Sequence, residues 1–487
     1  MNRIPAFLTA LLWTSASIAV AATITVVGSI ACPPITPGFY VATTGSDSNA
    51  GTLASPFLTL GKCQTAMRGG SVKTCYIRAG TYTPSASGSG CVFSYNASLN
   101  LTSSDNGETW RLYPSDPVGS AIIDGQSTTG NSGSVGNGTV CGFYIEGASN
   151  ITVDGLKFTR YGLSGVWADG SSNIIVTNTE VGPTTSAVYT SAGITFRNSG
   201  GSVADHNYVH DVAFMGIGSW SNTTPGSMSN TTISSNVVLN SCTFFPDSSD
   251  QTGGDCGGVY FQDVVSPITY ANLSTNLNVT NNYIRDVNKA SNGTGFFPSC
   301  CSVGIYSDYP SGNIHSTGNV VSGTLSACFY LNGAESDVMT GNICDMDNVG
   351  SQQIVREDQF GTGVLAMTGN VWQHNIVVLD SSGSGGGYFG GNVTPPNPMS
   401  ISNNFYYNYV GTASNVSSAA TGNGGTGADS SPIKGTNPQI SCWIAAVAGG
   451  SPVFSSPTSF PGITGGWGPP GFVIPQTGTA PSWPHAC

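Results

Sequence analysis

Apolar and polar positions alternate along the middle of the chain in a phrase that recurs seven times. Its copies are Gly165–Asp169, Gly193–Arg197, Gly216–Trp220, Gly258–Gln262, Gly304–Asp308, Cys328–Asn332 and Gln353–Glu357. Each copy starts mostly on a small residue, and its second residue is branched or aromatic: Val166, Ile194, Ile217, Val259, Ile305, Phe329 and Ile354. A strand sends successive side chains to opposite faces, so this set predicts one inward column. The third and fifth residues then predict an exposed outer column. It holds Trp167, Tyr260, Tyr306 and Tyr330, followed by Asp169, Arg197, Trp220, Gln262, Asp308, Asn332 and Glu357.

A second phrase follows each copy and places Asn207, Asn236, Asn282, Asn319, Asn342, Asn375 and Asn404 two residues before an apolar or aromatic one. Asn at a repeated turn can hydrogen-bond from one repeat to the next, which makes this ladder structural. The copies begin 23–28 residues apart, except for two longer gaps that imply inserted loops near 240–256 and 288–301. A period of about 25 residues is that of a β-solenoid coil. Loops braced on a rigid scaffold commonly carry function, and these two flank the coil that starts at Gly258.

Composition supports many short strands. The chain has 487 residues with 66 Gly, and only 8% are charged. The formal net charge is −12, from 13 Lys and Arg against 25 Asp and Glu, and no basic face for nucleic acid is visible. Residues 1–22 read as a signal peptide, with Arg3, an apolar stretch and Ala19-Val20-Ala21 as the cleavage site. No later stretch is long enough to span a bilayer. All 13 Cys follow the predicted cut, so disulfides and a secreted, extracellular location are expected, with Cys63/Cys75, Cys242/Cys256 and Cys328/Cys344 spaced as local staples.

The opening of the mature chain carries Phe39-Tyr40-Val41, then Gly45–Thr52, Ser55–Leu60, a short helical stretch to Met67, and Cys75–Tyr82 ending in Gly80-Thr81-Tyr82. This resembles the amino-terminal cap of secreted right-handed parallel β-helix proteins of the pectate-lyase-like superfamily. The resemblance implies an all-β, right-handed parallel β-helix with an N-terminal capping helix and a Pro/Gly-rich C-terminal tail. The expected divisions are 1–22 signal peptide, 23–85 cap, 86–435 β-helix and 436–487 tail. It also implies a carbohydrate-active protein.

Asp308 and Glu357 fall two coils apart in the outer column, roughly 9–10 Å at the backbone given strand spacing. At that separation the two carboxyl groups fall within, or a little beyond, the water-sized gap of about 6.5–9.5 Å between the acid and base of an inverting glycosidase. Asp263 and Asp358 sit one residue further along and join the candidate catalytic set. Trp167, Asp169, Arg197, Trp220, Tyr260, Gln262, Tyr306, Tyr330 and Asn332 form the candidate sugar-binding surface, since aromatic faces pack on sugar rings while polar groups orient them. The plainer readings are solvated turn acids and a Tyr stack that stabilises the sheet.

The leading expectation is thus a secreted, monomeric polysaccharide hydrolase that requires no cofactor. The family also contains calcium-assisted lyases, in which a Lys or Arg removes the proton α to a uronate. That alternative would use Arg with the same acids as calcium ligands, but Arg356 is expected to point inward. A third expectation is a non-catalytic glycan-binding surface protein. His206, His210 and Asp211 read as turn decoration.

Overall fold

Val203–Asp205, Tyr208–Val212 and Met215–Ser221 are the three strands of one coil, and each pairs in parallel with its counterparts one coil before and one coil after. Repetition of this unit builds three long sheets of 12, 12 and 11 strands among the described residues. The computed structural model describes residues 36–84, 87–91, 95–127, 139–185, 192–221, 224–243, 255–264, 266–287, 302–346, 353–358, 365–379, 389–390, 399–408, 429–434 and 468–469. The predicted signal peptide and nearly all of the predicted tail lie outside them. From residue 37 on, the described residues belong to one compact unit.

The first sheet runs from Phe39–Val41 to Ser400–Ser402, the second from Gly80–Tyr82 to Ile433–Lys434, and the third from Ser87–Cys91 to Phe389–Gly390. The core lies between them. Val166, Ile194, Ile217, Val259, Ile305 and Phe329 stack in register as expected. They bury against Val209, Val238, Ile284 and Val321 of the second sheet and Val176, Ile233 and Val279 of the first. The small residue that opens each phrase has a steric cause. A Cβ on Gly258 would lie 2.4 Å from Cγ2 of Ile284, and one on Gly304 2.2 Å from Cγ1 of Val321. The start of each third-sheet strand thus passes directly over the second sheet's apolar row.

The Asn ladder is present and fully buried. The side-chain oxygen of each Asn accepts from the backbone N–H and Nδ2 of the Asn one coil earlier. Asn236 Oδ1 takes both bonds from Asn207 at 2.9 Å, and the pattern repeats through Asn404. Each Nδ2 also donates back to a carbonyl of the first sheet, as Asn282 does to Ile233 at 2.9 Å. Asp429 ends the ladder by accepting from Asn404. The residue before each ladder Asn is left-handed: His206, Ser235, Asn281, Gly318, Gly341, His374 and Asn403 have φ between 53° and 67°. This explains why that position varies among Gly, Asn, Ser and His, and it confirms that His206 is a corner residue.

The expected helix is Leu60–Arg68. Thr59 caps it by accepting from the Lys62 N–H, and its buried face is Leu60, Cys63, Gln64 and Met67. Four disulfides are described. Cys63–Cys75, Cys242–Cys256 and Cys328–Cys344 are the expected staples, and Cys91–Cys141 is a fourth. Each such cross-link typically contributes about 2–4 kcal/mol. Among the described residues no helix is long and apolar enough to cross a membrane.

The last copy of the phrase departs from the expected register. Phe329 pairs with Val355, Tyr330 with Arg356, Leu331 with Glu357 and Asn332 with Asp358. The coil is one residue longer than the apolar pattern suggested, because Ile354 and Val355 both satisfy that pattern. A one-residue slip exchanges the two faces of a strand. Glu357 therefore leaves the outer column, and Arg356 and Asp358 enter it.

The ladder yields a stability prediction. Asn282→Ala would strand the Asn236 donors and the Ile233 carbonyl, at about 1–3 kcal/mol per buried unsatisfied group. Denaturant unfolding should show a loss of about 3 kcal/mol or more. An unchanged midpoint would show that the ladder is not holding the coils.

Candidate functional site

The third sheet bears the candidate site on its outer face. Tyr260, Tyr306, Tyr330 and Arg356 are consecutive partners across four strands. The Tyr306 ring stacks on Tyr330 at 4.5 Å and meets Tyr260 edge-on at 5.2 Å, while the Arg356 guanidinium lies 5.0 Å from the Tyr330 centroid. Two residues further along, Gln262 pairs with Asp308 and Asn332 with Asp358. The sequence predicts that this column is an exposed surface. The structure corrects that: Tyr260, Tyr306, Tyr330, Asp308 and Asp358 are each no more than 3% exposed. Only Gln262, Asp255 and Arg356 of the cluster are half-buried.

Asp308 collects donors. Its carboxyl accepts from the Tyr260 hydroxyl, the Tyr309 N–H at 2.7 Å, Asn332 Nδ2 at 2.8 Å and Gln262 Nε2 at 3.3 Å. Burial raises its pKa, and the donors from Tyr260, Tyr309, Asn332 and Tyr306 oppose that rise by favouring the carboxylate. Asp255 lies across the Tyr306 hydroxyl, 3.2 Å from it. Burial, followed by the nearby Asp308 charge, pushes the Asp255 carboxyl up to about 7. Tyr306 itself is driven well above the usual phenol range, first by burial and then by these two acids, so it keeps its proton. Asp358 is bound by Tyr330 Oη at 2.7 Å and Arg356 Nε at 2.6 Å.

The remaining predicted site residues lie elsewhere. Asp169 and Arg197 form an ion pair, Nε to Oδ1 2.8 Å, and Tyr144 also bonds Asp169. Trp167 and Trp220 meet edge-to-face at 5.9 Å, further along the sheet. Asp263 turns to the core side, where it binds Ser221 Oγ at 2.5 Å and the Ser274 N–H. Its role there is to fix the start of the loop that follows.

Glu357 is the clearest correction. It sits on the inward face at 1% exposure, and neither oxygen has a hydrogen-bond partner. Burial raises its pKa to about 7, with the Met399 backbone nearby offsetting only part of that. His210 bonds Glu180 at 3.1 Å and Asp211 at 2.8 Å on the second sheet, in keeping with a structural role.

Residues 122–344 match the family described as "Right handed beta helix region". The chain is a right-handed parallel β-helix.

Solved structures share the fold. The A-module of mannuronan C-5 epimerase AlgE6 from Azotobacter vinelandii superposes with a TM-score of 0.50 at 14% identity, covering 77% of this chain and 94% of that one. Pectate lyase Pel9A gives 0.46 at 14% identity, covering 86% and 89%. The GH136 lacto-N-biosidase from Eubacterium ramulus gives 0.47 at 12%, covering 81% and 67%. At these identities the likeness concerns the fold. No curated protein matches the chain in sequence.

On this β-helix, Asp255 is the site residue that repeat analysis misses. It precedes the strand Cys256–Asp263, at the end of the first long insert, and is outside the repeated phrase. The one available signal was its place beside Cys256, which ties that end of the insert to Cys242.

Glu357 gives a pH prediction. The unfolded group releases its proton near 4.5 and the folded group near 7. Across that window the unfolded chain loses a proton that the folded chain keeps, so stability falls as pH rises and levels off above 7. Glu357→Gln removes this term. It should match the wild type near pH 4 and exceed it by about 3 kcal/mol at pH 8 in denaturant unfolding. An equal difference at both pH values would mean that Glu357 is not buried as the neutral acid.

Proposed function

We propose that this β-helix is a polysaccharide-cleaving hydrolase that works through Asp255 and Asp308. The observation that carries the reading is the placement of two acids beside one phenol: the Tyr306 hydroxyl donates to Asp255 at 3.2 Å, and the Asp308 charge acts on the same Asp255 carboxyl. Two acids this close disfavour each other's ionisation, so once one has lost its proton the other holds its own more tightly. The donors around Asp308 favour its carboxylate, which leaves the proton on Asp255. One group is then a general acid near neutral pH and the other an anion, the division of labour glycoside cleavage needs.

We read the two acids as a retaining pair, in which the carboxyl groups lie about 5–5.5 Å apart. Asp308 attacks the anomeric carbon as Asp255 protonates the departing glycosidic oxygen. Asp255, now a carboxylate, then takes a proton from the water that releases the sugar from Asp308. Glu357, inside the coil, is not used. A mannuronan C-5 epimerase module shares the fold, which agrees with a carbohydrate substrate.

A second reading has its own observation. The corrected register brings Arg356 into the column, beside Tyr330 and Asp358. That restores a candidate base for a β-elimination on a uronate polymer, with the acids available to calcium.

A reducing-end screen on neutral and acidic polysaccharides, with and without chelator, separates the two. Hydrolysis should release reducing ends without new ultraviolet absorbance and should survive the chelator. Asp308→Asn and Asp255→Asn should each lower kcat by about 10²–10⁴-fold. Wild-type activity should decline above pH about 7 as Asp255 loses its proton. Unsaturated products that vanish with Arg356→Ala but persist in Asp255→Asn would establish the elimination instead.

A further inference from the structure

Beside the acid pair the chain leaves the third sheet after Asp263 and does not enter the first until Leu277. The loop between is firmly tied. The Asp263 N–H donates to the Pro310 carbonyl at 2.7 Å, and its carboxylate holds the Ser274 N–H. Asn272 Nδ2 bonds the Pro267 carbonyl at 2.8 Å, and the Asn230 N–H donates to Thr275 at 2.9 Å. On this loop Tyr270 is 46% exposed, while its hydroxyl is fixed on Asn313 Oδ1 at 2.6 Å. Asn313 in turn donates to the Ser274 carbonyl at 3.1 Å. Val264, at the loop's start, is 44% exposed. An aromatic ring anchored at its polar end, with its apolar body left in water, is a preformed face for a partner with an apolar side.

The position links this ring to the acid pair. Val264 lies two residues beyond Gln262, which bonds both Asp308 and the Tyr309 carbonyl. Pro310, which receives the Asp263 N–H, lies two residues beyond Asp308. Residues 264–277 and 309–314 contain no charged side chain, although the chain carries a net charge of −12. The loop therefore offers an aromatic face, amides and hydroxyls, and no cation to meet a carboxylate.

We propose that Tyr270 is an outer sugar-binding subsite, and that the site takes a neutral polysaccharide whose chain continues from the acid pair across the 264–277 loop. This rests on the reading of Asp255 and Asp308 as a glycan-cleaving pair. The apolar face of a pyranose stacks on the Tyr270 ring, and its hydroxyls meet loop amides. A substrate long enough to reach Tyr270 gains affinity, while a short fragment held only at the acids does not.

Affinity electrophoresis tests this without requiring turnover. Wild type, Tyr270→Ala, Tyr270→Phe and Asp308→Asn are run through gels that contain xylan, a β-glucan or a galactan, and through gels that contain polygalacturonate or alginate. Tyr270 is exposed, so its variants should fold, and a thermal melt checks this. Wild type and Asp308→Asn should be retarded by at least one neutral polymer. Tyr270→Ala should bind it about tenfold more weakly, while Tyr270→Phe, which keeps the ring, should retain most of the affinity. Equal retardation of Tyr270→Ala and wild type overturns the subsite and leaves the acid pair standing. Retardation by the acidic polymers alone overturns the neutral substrate. No retardation in any gel overturns the subsite, and if no reducing ends are released either it overturns the hydrolase reading as well.

Discussion

Register between stacked coils is the constraint on which everything else in this protein depends. A parallel coil has no freedom to adjust one face alone, because side chains alternate strictly and a slip of one residue exchanges inside for outside. The buried Asn ladder enforces the register at one corner through two bonds per step. The left-handed residue before each Asn supplies the bend that makes those bonds possible. Glycines such as Gly258 and Gly304 let the third-sheet strands pack closely on Ile284 and Val321. With the ladder and this close packing fixed, the outer face of the third sheet becomes a ruled surface on which Tyr260, Tyr306, Tyr330 and Arg356 must stack.

That surface is buried, and burial gives it chemical potential. A carboxyl group exposed on a solenoid turn would ionise at its ordinary pKa and do little. Asp308 is buried and Asp255 half-buried beside it, near enough that their ionisations compete. Asp308 has the better donors and Asp255 the fewer. The asymmetry arises from ordinary strand pairing, because Tyr260, Gln262 and Asn332 on the neighbouring coils reach Asp308 only when the coils are in register.

Much of this was readable in the residues. The inward column was legible because it is apolar in nearly every copy, and the ladder because Asn recurs at one offset. The three local staples were legible from short Cys spacings inside single coils. The last register was not, since Ile354 and Val355 fit the apolar pattern equally well, and only the observed pairing puts Glu357 inside. Burial of the tyrosine column was not legible either, because alternation tells which side a residue faces and not what covers it. Asp255 escaped because it belongs to an insert, where periodicity says nothing. The aromatic and acidic character of the site was therefore visible while the identity of the proton carrier was not.

The central claim is that Asp255 keeps its proton to near neutral pH while Asp308 beside it is ionised. Carbon-13 NMR of the protein labelled at aspartate carboxyl carbons measures this directly, with Asp255→Asn and Asp308→Asn assigning the signals. The account predicts a carboxyl signal that titrates near 7, disappears in Asp255→Asn, and moves towards the ordinary carboxylate range when Asp308→Asn removes the neighbouring charge. Two carboxyl groups that both ionise near 4, each indifferent to loss of the other, would contradict it.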